Sequence, residues 1–201
     1  LPLGGSSAIG VNFIQLNSGD IERTTEAFPE GNDPSFGQTF TWRSTAAGVT
    51  YGRRLTDRLD FGAGVKIITE GIDNATANYV ALDVGTAFQT GLYGTTIAAA
   101  LTNLGTSSRF RGPLIDRFSF DQFQPGATQV EFSTRSNPLP TAFRFGVRTE
   151  VTGSADALLG ASMPDHHFAI MGEAFDAIDT DVNFTLAAEY SFKNLLFLRT
   201  G

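Results

Sequence analysis

Two stretches of the chain alternate in polarity with a period of two residues. From Leu59 to Thr69 the positions Leu59, Phe61, Ala63, Val65 and Ile67 are apolar, and the interleaved set is Asp60, Gly62, Gly64, Lys66 and Ile68. From Val182 to Phe192 the split is cleaner: Val182, Phe184, Leu186, Ala188, Tyr190 and Phe192 oppose Asn183, Thr185, Ala187, Glu189 and Ser191. Successive side chains of a strand point to opposite faces, so this period predicts strands with one greasy face and one small or polar face. Noisier alternation predicts strands over residues 8–16, 40–55, 79–90, 95–103, 141–151 and 166–175, with a last one starting at Leu195. This gives about nine strands, many near the ~9 to 11 residues that cross a bilayer at a ~45° tilt. No long amphipathic helix is visible, and residues 154–161 are the best candidate for a short one.

The connections sort by length. Short turns fall at Thr56-Asp57-Arg58, residues 91–94 and Lys193-Asn194, whereas residues 17–39, 70–78, 104–140 and 176–181 make the alternate connections. Short turns at one end and longer loops at the other is the pattern of outer-membrane barrels. Residues 152–165 break it, being long on the short-turn end. The polar faces carry Gly and Ala beside mid-strand charges such as Lys66, Asp83, Arg144 and Arg148, as a lumen does. Aromatics near strand ends, namely Phe40, Trp42, Tyr51, Phe88, Tyr190, Phe192 and Phe197, suit interface girdles. A barrel is favoured over a soluble β-sandwich adhesin on all three grounds.

Composition narrows the classes. Only 17% of the 201 residues are charged, below the ~25% usual for soluble domains, and Lys66 and Lys193 are the only lysines. Net charge −7 removes the basic face that a sequence-independent nucleic-acid binder needs, so no nucleic-acid partner is expected. The absence of Cys excludes disulfide scaffolds, zinc ribbons and thiol nucleophiles. No apolar run approaches the ~20 residues of a membrane-spanning helix, while a mean hydropathy of −0.04 suits alternating barrel strands. The chain starts at Leu1 without a leader-like segment, so a removed leader or a longer parent is expected.

Several segments, in order, resemble one family. They are IGVNFIQLNSGDIERTTE (9–26), AAGVTYGRRLTDRLDFGAGVKIITEGID (46–73), VALDVGTAFQTG (80–91), AAALTNLGTSSRFRG (98–112), LPTAFRFGV (139–147) and AAEYSFKNLLFLRTG (187–201). Together they resemble the PorV/PorQ-type outer-membrane proteins, relatives of the FadL hydrophobic-compound transporters. The RLTDRL turn and the EY…LLFLR ending carry most of the likeness. The family is similar in having a leader, an Asn-Pro-Ala-Gly-like N-terminal segment, more strands at both ends and a terminal aromatic, none of which appears here. The resemblance implies an all-β, antiparallel up-and-down transmembrane β-barrel, present as an incomplete fragment of about nine strands that spans residues 1–201 as one domain truncated at both ends. Residues 104–140 would be its long extracellular loop.

Motifs for chemistry are weak throughout. Gly160-Ala161-Ser162-Met163-Pro164 imitates a nucleophile elbow but ends in Pro and lacks a doubly wound sheet. Adjacent His166 and His167 on a strand point to opposite faces and cannot easily grip one metal ion. Asp179-x-Asp181-x-Asn183 starts like a calcium loop, yet Phe184 and Tyr190 stand where Gly and Glu belong. Gly62-x-Gly64 lies inside a strand and is no dinucleotide fingerprint. Asp20, Glu22, Glu26, Glu30 and Asp33 make the first long loop acidic, which reads as a solvated loop or a docking surface. Within 104–140, Arg109, Phe110, Arg111, Arg117, Phe118, Phe120 and Phe123 combine the residue types enriched at interfaces, so they are the candidate partner-binding residues. A loop folded over the barrel mouth would use the same residues.

No enzymatic activity, cofactor or metal is expected. The expected partners are outer-membrane lipid and, by resemblance, secreted cargo proteins or other subunits of type IX secretion, bound at the bacterial outer surface for hand-over and attachment. The alternative is FadL-like passive transport of hydrophobic small molecules.

Overall fold

The alternating stretches form strands. The structure, a computed structural model, describes residues 1–31, 34, 37–113, 117–119, 130–160, 163 and 165–201. Its strands are β1 (Ser7–Asn17), β2 (Ile21–Glu22), β3 (Thr39–Phe40), β4 (Trp42–Thr56), β5 (Leu59–Ile72), β6 (Ala75–Gln89), β7 (Thr96–Gly105), β8 (Arg117–Ser119), β9 (Val130–Phe132), β10 (Ala142–Thr152), β11 (His166–Ala177), β12 (Asn183–Phe192) and β13 (Leu196–Thr200). Nine of them build one antiparallel sheet in the order β1-β4-β5-β6-β7-β10-β11-β12-β13. The order follows the chain, so the sheet is a meander. The small ribbons β2–β3 and β8–β9 sit inside the connections after β1 and β7. The edges of the sheet are β1 and β13, and among the described residues no ladder joins them.

Residues 70–78, expected as a loop, instead form a tight hairpin. β5 and β6 stay paired to Ile72↔Ala75, and the chain reverses in Asp73-Asn74 with Asp73 in the left-handed region at φ 53°. Asp tolerates that region because its short polar side chain bonds locally. Nor do residues 154–160 form the short helix. Leu158 and Leu159 donate their N–H groups to Glu150 and Val151 of β10, so the segment folds back along the strand end. Phe40 lies in the β2–β3 ribbon, outside the main sheet.

Directly opposed residues of antiparallel strands share a face, so the registers sort every side chain. One face collects Val11, Phe13, Val49, Val65, Ile67, Leu82, Val84, Phe145, Ile170, Leu186 and Leu198. The other collects Gly and Ala with the charged residues Asp60, Lys66, Asp83, Arg144, Arg148, Glu173 and Glu189. Tyr51, Phe88, Tyr190 and Phe192 fall on the apolar face. Trp42 and Phe197, expected there, fall on the polar face instead.

Among the described residues, buried apolar side chains form one small packed cluster. Ala77, Tyr79, Ala81 and Leu139 are buried together, with Ile68 and Phe110 against them, all at one end of the polar face. Among the described residues no second layer of secondary structure covers the rest of the sheet. Its apolar face is bare, and Val11, Phe184 and Leu186 are 77%, 80% and 81% exposed. A sheet stable in water normally covers such a face with a second layer.

Candidate functional site

On the apolar face the greasy residues form a band that runs obliquely across the sheet. The register row Phe61–Thr86–Ala99–Phe145–Ala174–Phe184 crosses β5 to β12 perpendicular to the strands. On β5 the apolar run is Leu59 to Ile67, and the row passes two residues to one side of its centre, Ala63. On β12 the run is Phe184 to Phe192, and the row passes four residues to the opposite side of its centre, Ala188. The band therefore drifts six residues over five strand steps. At ~3.3 Å per residue and ~4.8 Å per strand that is about 20 Å in about 24 Å, an angle of about 40°.

The band also has a sharp edge. The row Phe13–Ala47–Ile67–Val80 is apolar throughout, and the next row on that face, Gln15–Thr45–Thr69–Asn78, is polar throughout. The following row carries Asn17, Arg43, Gly71 and Thr76. Here Thr41, Arg43, Thr45, Thr69, Gly71, Asp73 and Thr76 line a notch of about 320 Å³.

The polar face is hollowed. One cavity of about 560 Å³ is lined from six neighbouring strands, Thr50 on β4 through Glu173 on β11. Gly62, Gly64, Gly85, Ala98 and Gly146 make its floor. Its charges are paired across adjacent strands. Lys66 donates to both oxygens of Asp83 at 2.8 and 2.7 Å, and Arg144 donates to Glu173 at 3.0 Å. A β-bulge in β7 adds to this, because Asn103, at φ 59°, aims its N–H at Asp83 Oδ1 at 2.8 Å. The same Asn103 donates its side-chain amide to Pro140 O and accepts from Thr141 Oγ1, which ties the entry of β10 to the bulge. Further along, Arg148 contacts Glu150 and Glu189, and Arg199 also bonds Glu189.

The long connection after β7 is an arm laid along β6. Thr76 and Arg111 exchange both backbone hydrogen bonds, Thr106 N–H donates to Val80 O, and Ser108 pairs with Asn137 on the returning limb. The arm lies so close that a side chain at Gly105 would meet Val80 O and Ala81 Cα, and one at Gly112 would meet Asn74 O and Ala75 Cα.

The candidate partner-binding residues separate accordingly. Phe110 is half-buried against the Tyr79–Leu139 cluster, so it anchors the arm. Arg111 is exposed on the arm, and Arg109 is half-buried with its Nε lacking a hydrogen-bond partner. Arg117 and Phe118 belong to β8, paired in backbone to β9. Phe120 and Phe123 lie outside the described residues, as does Ser162 of the Gly-Ala-Ser-Met-Pro segment.

Sequence reasoning passed over Asn103, whose bulge orients Asp83, and Arg43. No sequence signal marks the first, since the left-handed φ of Asn103 and its place beside Asp83 come from the structure. Two adjacent all-polar rows were the signal for the second, visible only once the register is known.

His166 and His167 do lie on opposite faces, His166 bonding Tyr190 OH at 2.6 Å. Among the described residues no three His, Asp or Glu are placed to hold a metal ion. Among the described residues no helix is long and apolar enough to cross a membrane, which says nothing of strands. No protein-family model matches the chain, and no curated protein matches it in sequence.

Proposed function

We propose that this chain forms part of the wall of an outer-membrane β-barrel of the PorV/PorQ type. Its apolar face meets lipid and its hollowed polar face lines a watery interior. The observation that carries the reading is the oblique band. Barrel strands tilt by 35–45° to the membrane normal, so an apolar belt of constant depth must drift along the register at about the rate found here. Each nine-residue run, with its five apolar positions, covers about 27 Å of strand, or about 20 Å of depth at that tilt, close to the ~25 Å belt of such proteins. The paired charges on the other face fit a lumen, where ions stay hydrated and neutralised by neighbours.

By resemblance, the barrel acts in type IX secretion without catalysis. The arm over β6 and the β8–β9 ribbon beyond it receive exported proteins or partner subunits at the outer surface. Two tests separate the layers of this reading. The chain is expected to need detergent for extraction and to show heat-dependent mobility on a denaturing gel, and recovery in the aqueous fraction would end the membrane reading. In cells, deleting residues 105–135 is expected to abolish cargo binding, and unchanged secretion would remove the arm from recognition.

One observation favours the second reading, passive transport of hydrophobic molecules. On the polar face near the arm, the row Ile14–Ala46–Ile68–Tyr79 is apolar, and Ile14 and Leu16 are 59% and 54% exposed. Uptake of fatty acids by liposomes holding the protein would support it, and no uptake would remove it.

A further inference from the structure

The geometry points to the Arg43 notch as a binding site for the phosphate of a membrane-lipid headgroup. The inference rests on the membrane reading and deepens it.

The notch sits on the lipid-facing side, two rows beyond the last apolar row, where acyl chains give way to headgroups. Its position follows from the registers. Ala47 and Ile67 close the apolar band, Thr45 and Thr69 oppose one another above them, and Arg43 stands opposite Gly71 in the next row. Gly71 has no side chain, which leaves room in front of the guanidinium. Arg43 is exposed, and among the described residues none hydrogen-bonds or ion-pairs with its side chain.

Neighbouring groups favour an anion. Thr41, Thr45 and Thr76 offer hydroxyls around the notch, whereas Thr69 already donates to Asn78. Asp73 lies at the rim, but its carboxylate is held by Arg23 at 2.8 Å. That pair leaves the notch with the single uncompensated positive charge of Arg43. A phosphate monoester presents several acceptor oxygens, and a guanidinium forks onto two of them while hydroxyls donate to the rest. Arginine holds this charge and geometry where lysine supplies only a point charge. A lipid brings its phosphate to this height while its acyl chains cover Phe13, Ile67 and Val80 below.

The test uses the 201-residue chain in maltoside micelles, titrated with phosphatidic acid or with diacylglycerol of the same acyl chains, and read by native mass spectrometry. Phosphatidic acid is expected to be retained and diacylglycerol not. Arg43→Gln is expected to weaken retention roughly tenfold or more, the loss of a charge-assisted hydrogen-bonded contact. Arg43→Lys is expected to recover part of it, which a folding defect would not allow. Equal retention of the two lipids, or no effect of Arg43→Gln, overturns the site. Inorganic phosphate bound as tightly as phosphatidic acid overturns the lipid as its source. Entry into micelles is scored before lipid is added, so a chain that stays in the aqueous fraction counts against the membrane reading rather than against Arg43.

Discussion

Asp83 shows how one side chain organises its surroundings. It accepts from Lys66 and from the Asn103 N–H, and side-chain exposures of 35% and 19% for Asp83 and Lys66 put the pair partly out of water. Asp83→Ala would leave an ammonium and a backbone donor without their shared acceptor. The expected cost is about 1.5–3 kcal/mol, measured by denaturant unfolding in micelles. The Arg54–Asp60 pair supplies the contrast, since its side chains are 54% and 40% exposed. Removing Arg54 is expected to leave the midpoint unchanged, as exposed ion pairs usually do. An equal loss in both variants would contradict the role given to the bulge.

At the scale of elements, the arm over β6 is held by close approach. Gly105 and Gly112 let its backbone lie directly on Val80–Ala81 and Asn74–Ala75, and Phe110 and Leu139 supply its apolar grip. Gly112→Val is expected to lift the arm and speed proteolytic cleavage within residues 106–141, while the sheet ladder keeps its hydrogen-exchange protection. Phe110→Ala is expected to do the same more weakly, with a loss of about 1–3 kcal/mol because the ring is only partly buried. Unchanged cleavage in both would show that the arm is held by other contacts.

The strands themselves were largely legible, because Leu59 to Ile67 and Val182 to Phe192 keep period two across the apolar band. The β5–β6 hairpin was not. Beyond the band the face that was apolar turns polar, with Thr69, Gly71, Thr76 and Asn78, while the other mixes Glu70 with Ile72, Ala75 and Ala77, so the alternation loses its phase while pairing continues. The arm's role was hidden for a different reason. Phe110 reads equally as interface or as anchor until its neighbours are known.

For the whole molecule, the contrast between faces predicts opposite responses from adjacent residues. Val49 lies at the centre of the apolar run on β4, and Thr50 lines the polar cavity beside it. In lipid vesicles Val49→Arg is expected to cost about 2–4 kcal/mol of folding free energy, as charges on a lipid face do near the bilayer midplane. Thr50→Arg is expected to change folding little. Equal effects, measured by urea titration of the vesicle-embedded chain, would mean that neither face meets lipid.

The oblique band has a consequence for the width of the wall. In the proposed barrel, strands inclined by about 40° would each occupy about 6.3 Å of perimeter instead of ~4.8 Å, so nine of them would contribute an arc of about 56 Å. A barrel with that much perimeter or more would be about 18 Å or more across, beyond the ~8–10 Å over which salt screens exposed charges, so a cation would gain little from an anion on the facing wall. Each must find its counter-ion along its own stretch of wall. Lys66 takes Asp83 from the next strand, Arg144 takes Glu173, and Arg148 and Arg199 share Glu189. In that barrel the inclination that sets the depth of the belt would thus also leave the charges inside to be settled locally, between neighbouring strands.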